Sequence, residues 1–278
     1  MNQSTKKHAR KGMQMANSQN GNSSPAVDAD SVAVHLSLQG KGGVGKSLVA
    51  SLLAQYFTGR KRTSVRCIDA DPVNQTLAQY KGLAVHRLDL MKNGSVDQRA
   101  FDGLMETLLT EAGTFIVDNG ASTFIPLWNY MLENNAMALL KASGRRVFVH
   151  CVVTGGQALA DTLSGFARLA ETTGERNIVL WVNEYFGRVE RDGRTLSELP
   201  VYTEHSGSVV GSVAIPRRNQ DTFGRDVEEV IARKLTLQEA IDSPSFPIMV
   251  RQRLRVVQRE LFDQLDTVQF AGGGHDGH

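Results

Sequence analysis

Cysteine is nearly missing from this chain: Cys67 and Cys151 are the only two among 278 residues. Two cysteines inside apolar runs cannot supply a disulfide framework, so buried, reduced thiols in a cytoplasmic protein are the expectation. No run of about 18 apolar residues occurs, so no transmembrane helix is expected. The N-terminal charges have no apolar segment behind them, which argues against a secretory leader. Neither sign of charge dominates: 31 Lys and Arg face 29 Asp and Glu, for a net charge of +2. That near balance weakens any expectation of a strongly basic nucleic-acid face. Residues 1–31 lack aromatic and branched apolar side chains apart from Val27. They cannot bury enough apolar surface to offset the cost of ordering, which predicts a disordered tail. The closing GGGHDGH reads as a second flexible tail, so the expected organisation is one domain over 32–269 between tails 1–31 and 270–278.

Within that domain the apolar residues are present in quantity and in a particular order. Strands are predicted for SVAVHLSL, SVRCIDA, TFIVDNG, RRVFVHCVVTGG, NIVLWVNEYFG and SVVGSVAIP. They are mostly continuous apolar runs, and helical segments separate most of them. This predicts an α/β fold of three layers, a mostly parallel sheet with helices on both faces. A helix is expected over Lys46–Arg60, and Ser95 with Gln98 has capping-box spacing ahead of another. The stretch YFGRVERDGRTLSELPVYTEHSG is the least regular and is a candidate insertion.

Between the first strand and its helix lies Gly40-Lys41-Gly42-Gly43-Val44-Gly45-Lys46-Ser47, which satisfies the phosphate-loop pattern. Glycines let successive N–H groups turn inward toward phosphate oxygens, and the helix that follows presents its positive end to the same anion. Lys46 would place a point charge on the β- and γ-phosphates, and Ser47 would offer its hydroxyl to Mg²⁺. Asp69 and Asp71, two apart in CIDADPVN, share one side of a strand end. Beside a phosphate site such a pair implies a metal-and-water role. Asp118 ends an apolar strand, the arrangement that lifts a carboxylate to a Mg²⁺ edge.

Lys41 is superfluous to an ordinary phosphate loop. The form GKGGVGKS is the deviant Walker A motif, and on it the chain resembles the ParA/MinD-type P-loop ATPases of the SIMIBI class. The resemblance implies ATP and Mg²⁺ as ligands, with Gly40 through Leu48 holding the nucleotide, and slow hydrolysis to ADP and phosphate. It makes Lys41 a signature lysine that reaches the phosphates bound by the partner subunit of an ATP-sandwiched homodimer. It gives Asp71, before Pro72, the task of orienting or deprotonating the attacking water. Asp69 would support the Mg²⁺ shell together with Ser47 and Asp118. Asn183 would read the adenine through its amide, and Pro216 would pack near the base. The segment after Asp118 departs from the family, which usually has prolines where this chain has Asn119, Gly120, Ala121 and Ser122. VDNGAS, VVTGGQAL and the C-terminal RQRLRVVQRELFDQLD further resemble the plasmid conjugal-transfer branch of that superfamily. This implies a partner in the conjugation apparatus or another plasmid-encoded protein. A partition ATPase that binds DNA non-specifically and a non-hydrolysing ATP-binding module are the alternatives.

The C-terminal helix carries Val250, Leu254, Val257, Leu261 and Leu265 on one face and Arg251, Arg253, Arg255 and Arg259 elsewhere. It reads as a covering helix, with partner or DNA contact through the arginines next. Acids toward its end and a single Phe262 make it a poor match to a membrane-surface helix.

Overall fold

The computed structural model describes Met1, residues 32–174 and residues 176–270. The two predicted tails, apart from Met1 and Phe270, lie outside the described residues. Phe270 itself is buried, so the packed chain extends one residue beyond the predicted boundary.

The chain enters through β1 (Ala33–Ser37), turns through the glycine-rich loop into α1 (Lys46–Gln55), and returns as β2 (Val65–Ala70) and the short β3 (Val85–Arg87). A small hairpin of β4 (Met91–Lys92) and β5 (Ser95–Val96) precedes α2 (Ala100–Thr110) and β6 (Thr114–Asn119). Then follow α3 (Ala121–Glu133), α4 (Ala136–Ala142), β7 (Arg146–Thr154), α5 (Leu159–Thr173) and β8 (Ile178–Asn183). A second hairpin, β9 (Glu190–Arg191) with β10 (Arg194–Thr195), leads to α6 (Pro200–His205) and β11 (Val209–Ile215). The chain closes with α7 (Arg225–Ala232), α8 (Leu237–Asp242) and α9 (Ile248–Thr267).

Seven strands form one sheet in the order β11-β8-β7-β1-β6-β2-β3, with every pairing parallel. Alternation along β1 explains the two cores. Val34 and Leu36 face the side covered by α2 to α5, while Ala33 faces the side covered by α1, α8 and α9. With both faces covered, β6 is buried along its whole length, which is why these strands read as continuous apolar runs. Successive strands are added on opposite sides of β1, so a crevice opens beyond the carboxyl ends of β1 and its neighbours. The glycine-rich loop lies there.

Two expectations need correction. Ser95 does not cap a helix. Asn93 and Gly94 both have positive φ and make the turn of the β4–β5 hairpin, and α2 starts only at Ala100. Asn-Gly is a strong hairpin signal, and here it overrides the capping-box spacing. The helix predicted over Lys46–Arg60 is α-helical only to Gln55 and finishes in a wider π-type turn over Tyr56–Arg60. The irregular stretch after β8 packs on the main core through Val189, Leu196 and Leu199. Helix α9 covers the sheet as expected, with Leu254, Val257, Leu261 and Leu265 buried. Both cysteines are free and buried. Among the described residues, no helix is long and apolar enough to cross a membrane.

The core also holds a polar chain that the sequence did not single out. Trp181 Nε1 donates to His150 Nδ1 at 3.0 Å, and His150 Nε2 lies 2.9 Å from His35 Nδ1. Because His150 Nδ1 accepts, its proton sits on Nε2 and is donated to His35, which leaves the His35 proton on Nε2, where it has no partner among the described residues. Burial holds His150 down at about 3, and burial together with His150 and Arg146 holds His35 well below the usual range. Both rings are therefore neutral in the fold and charge only on unfolding. Stability is fully present above pH 6.5 and is lost as pH falls below it, by about 1.4 kcal/mol per unit for each ring. Replacing His150 by Gln should flatten the acid limb of urea stability measured between pH 7 and 5; an unchanged slope would contradict this reading.

Candidate functional site

The glycine-rich loop is held at both ends by buried amides. At its entry, Gln39 Nε2 donates to the Val152 and Thr162 carbonyls at 3.0 and 3.1 Å, and its Oε1 accepts from Gly40 N at 2.9 Å. Gly165 on α5 makes room for it, since a Cβ there would lie 2.2 Å from Gln39 Oε1. At the exit, Asn183 Nδ2 donates to the Val44 carbonyl at 2.9 Å, and its Oδ1 accepts from Tyr185 N at 3.1 Å. Gly43 and Gly45 have φ of 76° and 106°, conformations that favour glycine.

Lys46 opens α1 and is 7% exposed; its Nζ donates to the Lys41 carbonyl at 2.9 Å. Burial lowers its pKa, and Asp118 and Asp71 raise it in opposition. Lys41 points elsewhere. Its ammonium pairs with Asp161 in the first turn of α5 at 2.7 Å, both side chains being about half exposed. An exposed pair of this kind contributes about 0–1 kcal/mol, so it holds Lys41 only lightly.

The three carboxylates behave differently. Asp118 is 1% exposed and, among the described residues, neither oxygen has a well-aligned hydrogen-bond partner, although the Ser47 hydroxyl lies beside it. Burial pushes its carboxyl up to about 7; the Ser47 hydroxyl and the Lys46 ammonium pull it down, while Asp69 and Asp71 add to the rise. An orphaned buried carboxylate between a serine hydroxyl and a lysine fits a divalent cation held jointly with phosphate oxygens, since Mg²⁺ typically takes only one or two protein carboxylates. Asp69 pairs with Asp118 across β2 and β6, but its oxygens accept from the backbone N–H groups of Asp71 and Ala78, at 3.0 and 2.9 Å. It shapes the loop that carries Asp71, and each oxygen keeps a further lone pair. Asp71 Oδ1 accepts from Val73 N and Asn74 N at 2.9 and 3.1 Å, which leaves Oδ2 only a long contact of 3.4 Å to Asn74 Nδ2.

The departure after Asp118 acquires a reason. A Cβ on Gly120 would lie 2.6 Å from Asp71 Cγ, so glycine is what lets the Asp71 carboxylate sit against this turn. Thr123 Oγ1 contacts Asn119 Oδ1 at 2.7 Å and the Ala70 carbonyl at 3.2 Å, tying the start of α3 to the end of β2. Gln39 and Thr123 escaped the sequence reading, and Gly120 entered it only as a departure from the family. Their one signal was a polar or glycine residue directly beside a motif position.

A cavity of about 370 Å³ opens beside the loop, lined among others by Gly43, Gly45, Leu48, Asn183, Tyr185 and Pro216. The expected base-side residues Asn183 and Pro216 thus share one cavity with the loop, whereas Lys41, Asp71 and Asp118 do not line it. Gly155 and Gly156 are not part of the cavity lining. They let the backbone pass close to Phe186–Arg188, where a Cβ on Gly155 would lie 2.3 Å from the Arg188 carbonyl. Two large apolar side chains are exposed near Lys41 and Asp71: Val73 at 71% and Ile125 at 38%, the latter next to Phe124, which packs on Gly40.

No family model matches the chain. A curated relative, Protein TraL from Escherichia coli, is 44% identical over 235 residues, covering 84% of this chain and 97% of the relative. A solved ParA family ATPase from Chlorobium tepidum TLS aligns at 13% identity over 84% of this chain and 98% of that one, with a TM-score of 0.47. A chain of the MinC:MinD cell division complex of Aquifex aeolicus aligns at 16% identity over 83% and 96%, with a TM-score of 0.49.

Proposed function

Since the chain belongs to the TraL family, we propose that it is a Mg²⁺-ATP-dependent dimerising switch of the ParA/MinD type that serves plasmid conjugal transfer from the cytoplasm. The observation that carries this is Asp118, a buried carboxylate without a well-aligned hydrogen-bond partner, set beside Ser47 and Lys46 at the end of a glycine-rich loop. Keeping such a group ionised in a fold is costly unless a cation completes it.

In this reading the loop N–H groups and Lys46 bind the phosphates, and Ser47 with Asp118 holds Mg²⁺. The metal, when bound with ATP, neutralises charge on the phosphate oxygens. Lys46 exchanges the Lys41 carbonyl for the nucleotide. Asp71, fixed through Oδ1, presents Oδ2 to a water and holds it in line. Lys41 leaves Asp161 and supplies its charge to the partner subunit's nucleotide, as an arginine finger does in trans. Val73 and Ile125 would be covered by that closure. The dimer, and not the turnover, is then the signal that a conjugation partner reads.

Single-turnover phosphate release tests the chemistry. The wild type should release phosphate from bound ATP, and Asp71→Ala should bind ATP with release slowed about 100-fold or more. Equal release from both proteins would remove Asp71 from the reaction, and no release from the wild type would favour the ATP-binding module.

A further inference from the structure

One Asn183 amide N–H and its Oδ1 are already engaged by protein, a task separate from the base reading that the resemblance implies. We infer that Asn183 is a positioning residue for the phosphate loop: it straps the Val44 carbonyl to the end of β8 and so fixes the loop in its phosphate-binding shape. The inference rests on the nucleotide-binding reading above and concerns the same site.

Five observations converge on it. Asn183 is 4% exposed, so solvent does not compete for its amide. Its Nδ2 donates to Val44 O at 2.9 Å, in the middle of the glycine-rich run, 139 residues away in sequence. Its Oδ1 accepts from Tyr185 N at 3.1 Å, which fixes the orientation of the amide and leaves the nitrogen facing the loop. Its own carbonyl accepts from Thr154 Oγ1 at 2.9 Å, which ties the strap to β7 as well as β8. The next loop residue, Gly45, has φ of 106°, and a Cβ there would lie 3.1 Å from Asn183 Nδ2. The loop and the amide are therefore fitted to each other. Val44 O must point at Asn183 for the N–H groups that follow it to turn the other way, toward phosphate.

A strap and a base reader respond differently to ligands that lack a base. The strap's loss weakens whatever the loop binds, with or without adenine. A base reader's loss weakens ATP, changes its preference over GTP, and leaves a bare polyphosphate untouched. The test is calorimetric binding of Mg²⁺-ATP, Mg²⁺-GTP and Mg²⁺-tripolyphosphate to the wild type and to Asn183→Leu, which keeps the branched shape and removes both hydrogen-bonding ends. Asn183→Ser, too short to reach Val44, is the second variant and decides the matter if the leucine variant does not fold. Thermal midpoints without ligand accompany each titration. The expected result is a loss of about tenfold for every ligand the wild type binds, tripolyphosphate included, with the ATP-to-GTP ratio unchanged; the unliganded midpoint falls as well, because Val44 O and Tyr185 N lose their partner. Loss confined to ATP, or no loss for tripolyphosphate, would overturn the strap and return Asn183 to the base. A wild type that binds none of the three would instead overturn the nucleotide reading, and the strap with it.

Discussion

Asp118→Asn should stabilise the protein without nucleotide by about 3 kcal/mol at pH 7.5 while abolishing the Mg²⁺-dependent part of ATP binding. The carboxyl is raised from 3.8 to about 7 because burial outweighs the opposing pull of the Ser47 hydroxyl and the Lys46 ammonium. A raised carboxylate pKa means that the folded state holds a proton the unfolded state has released. The associated stability is therefore present at acid pH and is lost as pH rises through about 7. Three pKa units correspond to about 4 kcal/mol, of which a buried asparagine amide forfeits part. The gain should appear as a rise of roughly 6–9 °C in thermal midpoint, shrinking toward pH 5. A second consequence follows from the histidines. In the wild type, folded Asp118 holds a proton between pH 6.5 and 5 that the unfolded chain lacks, which offsets one of the two rings, so the net loss is about 2 kcal/mol. In Asp118→Asn both rings act unopposed, and the loss should be about 4 kcal/mol over the same interval. A destabilised Asp118→Asn would mean that the Ser47 hydroxyl and the Lys46 ammonium outweigh the cost of burial.

Lys41→Ala should leave ATP affinity within about threefold of the wild type yet slow hydrolysis by at least about 100-fold, since a cation supplied in trans is worth a factor of 10³ or more. The geometry separates the two lysines of the loop. Lys46 is buried against the loop and interacts with Asp118 and Asp71. Lys41 is half exposed, pairs with Asp161, and uses only its backbone carbonyl to hold Lys46. Alanine keeps that carbonyl. Asp161→Asn is the control: it releases Lys41 without removing it, and hydrolysis should stay the same or rise. A large loss of ATP affinity in Lys41→Ala would place this lysine on its own subunit's phosphates.

The main sheet was legible because parallel strands buried on both faces leave unbroken apolar runs, as in RVFVHCVVT and IVLWVN. The edge strand β3 escaped notice because its three residues, Val85 to Arg87, are half-buried to exposed and carry no such run. The hairpin at Asn93–Gly94 carried a readable turn signal that the capping-box spacing masked. Within the site, the glycine loop and Asp118 were readable from their sequence neighbours alone. The backbone contacts of Asp69 were not, because they depend on where Ala78 lies after the chain has turned. Gln39, Asn183 and Thr123 act through contacts 4 to 139 residues away, which no local pattern encodes.

The central claim is that ATP closes two subunits over Lys41. Solution mass by light scattering, with Mg²⁺-ATP and with ADP, on the wild type, Lys41→Ala and Asp71→Ala tests it most directly. The account predicts monomers with ADP in all three, a stable dimer of Asp71→Ala with ATP, and a Lys41→Ala protein that stays monomeric while ATP is bound. An identical mass for every protein and nucleotide, with ATP binding demonstrated, would contradict it.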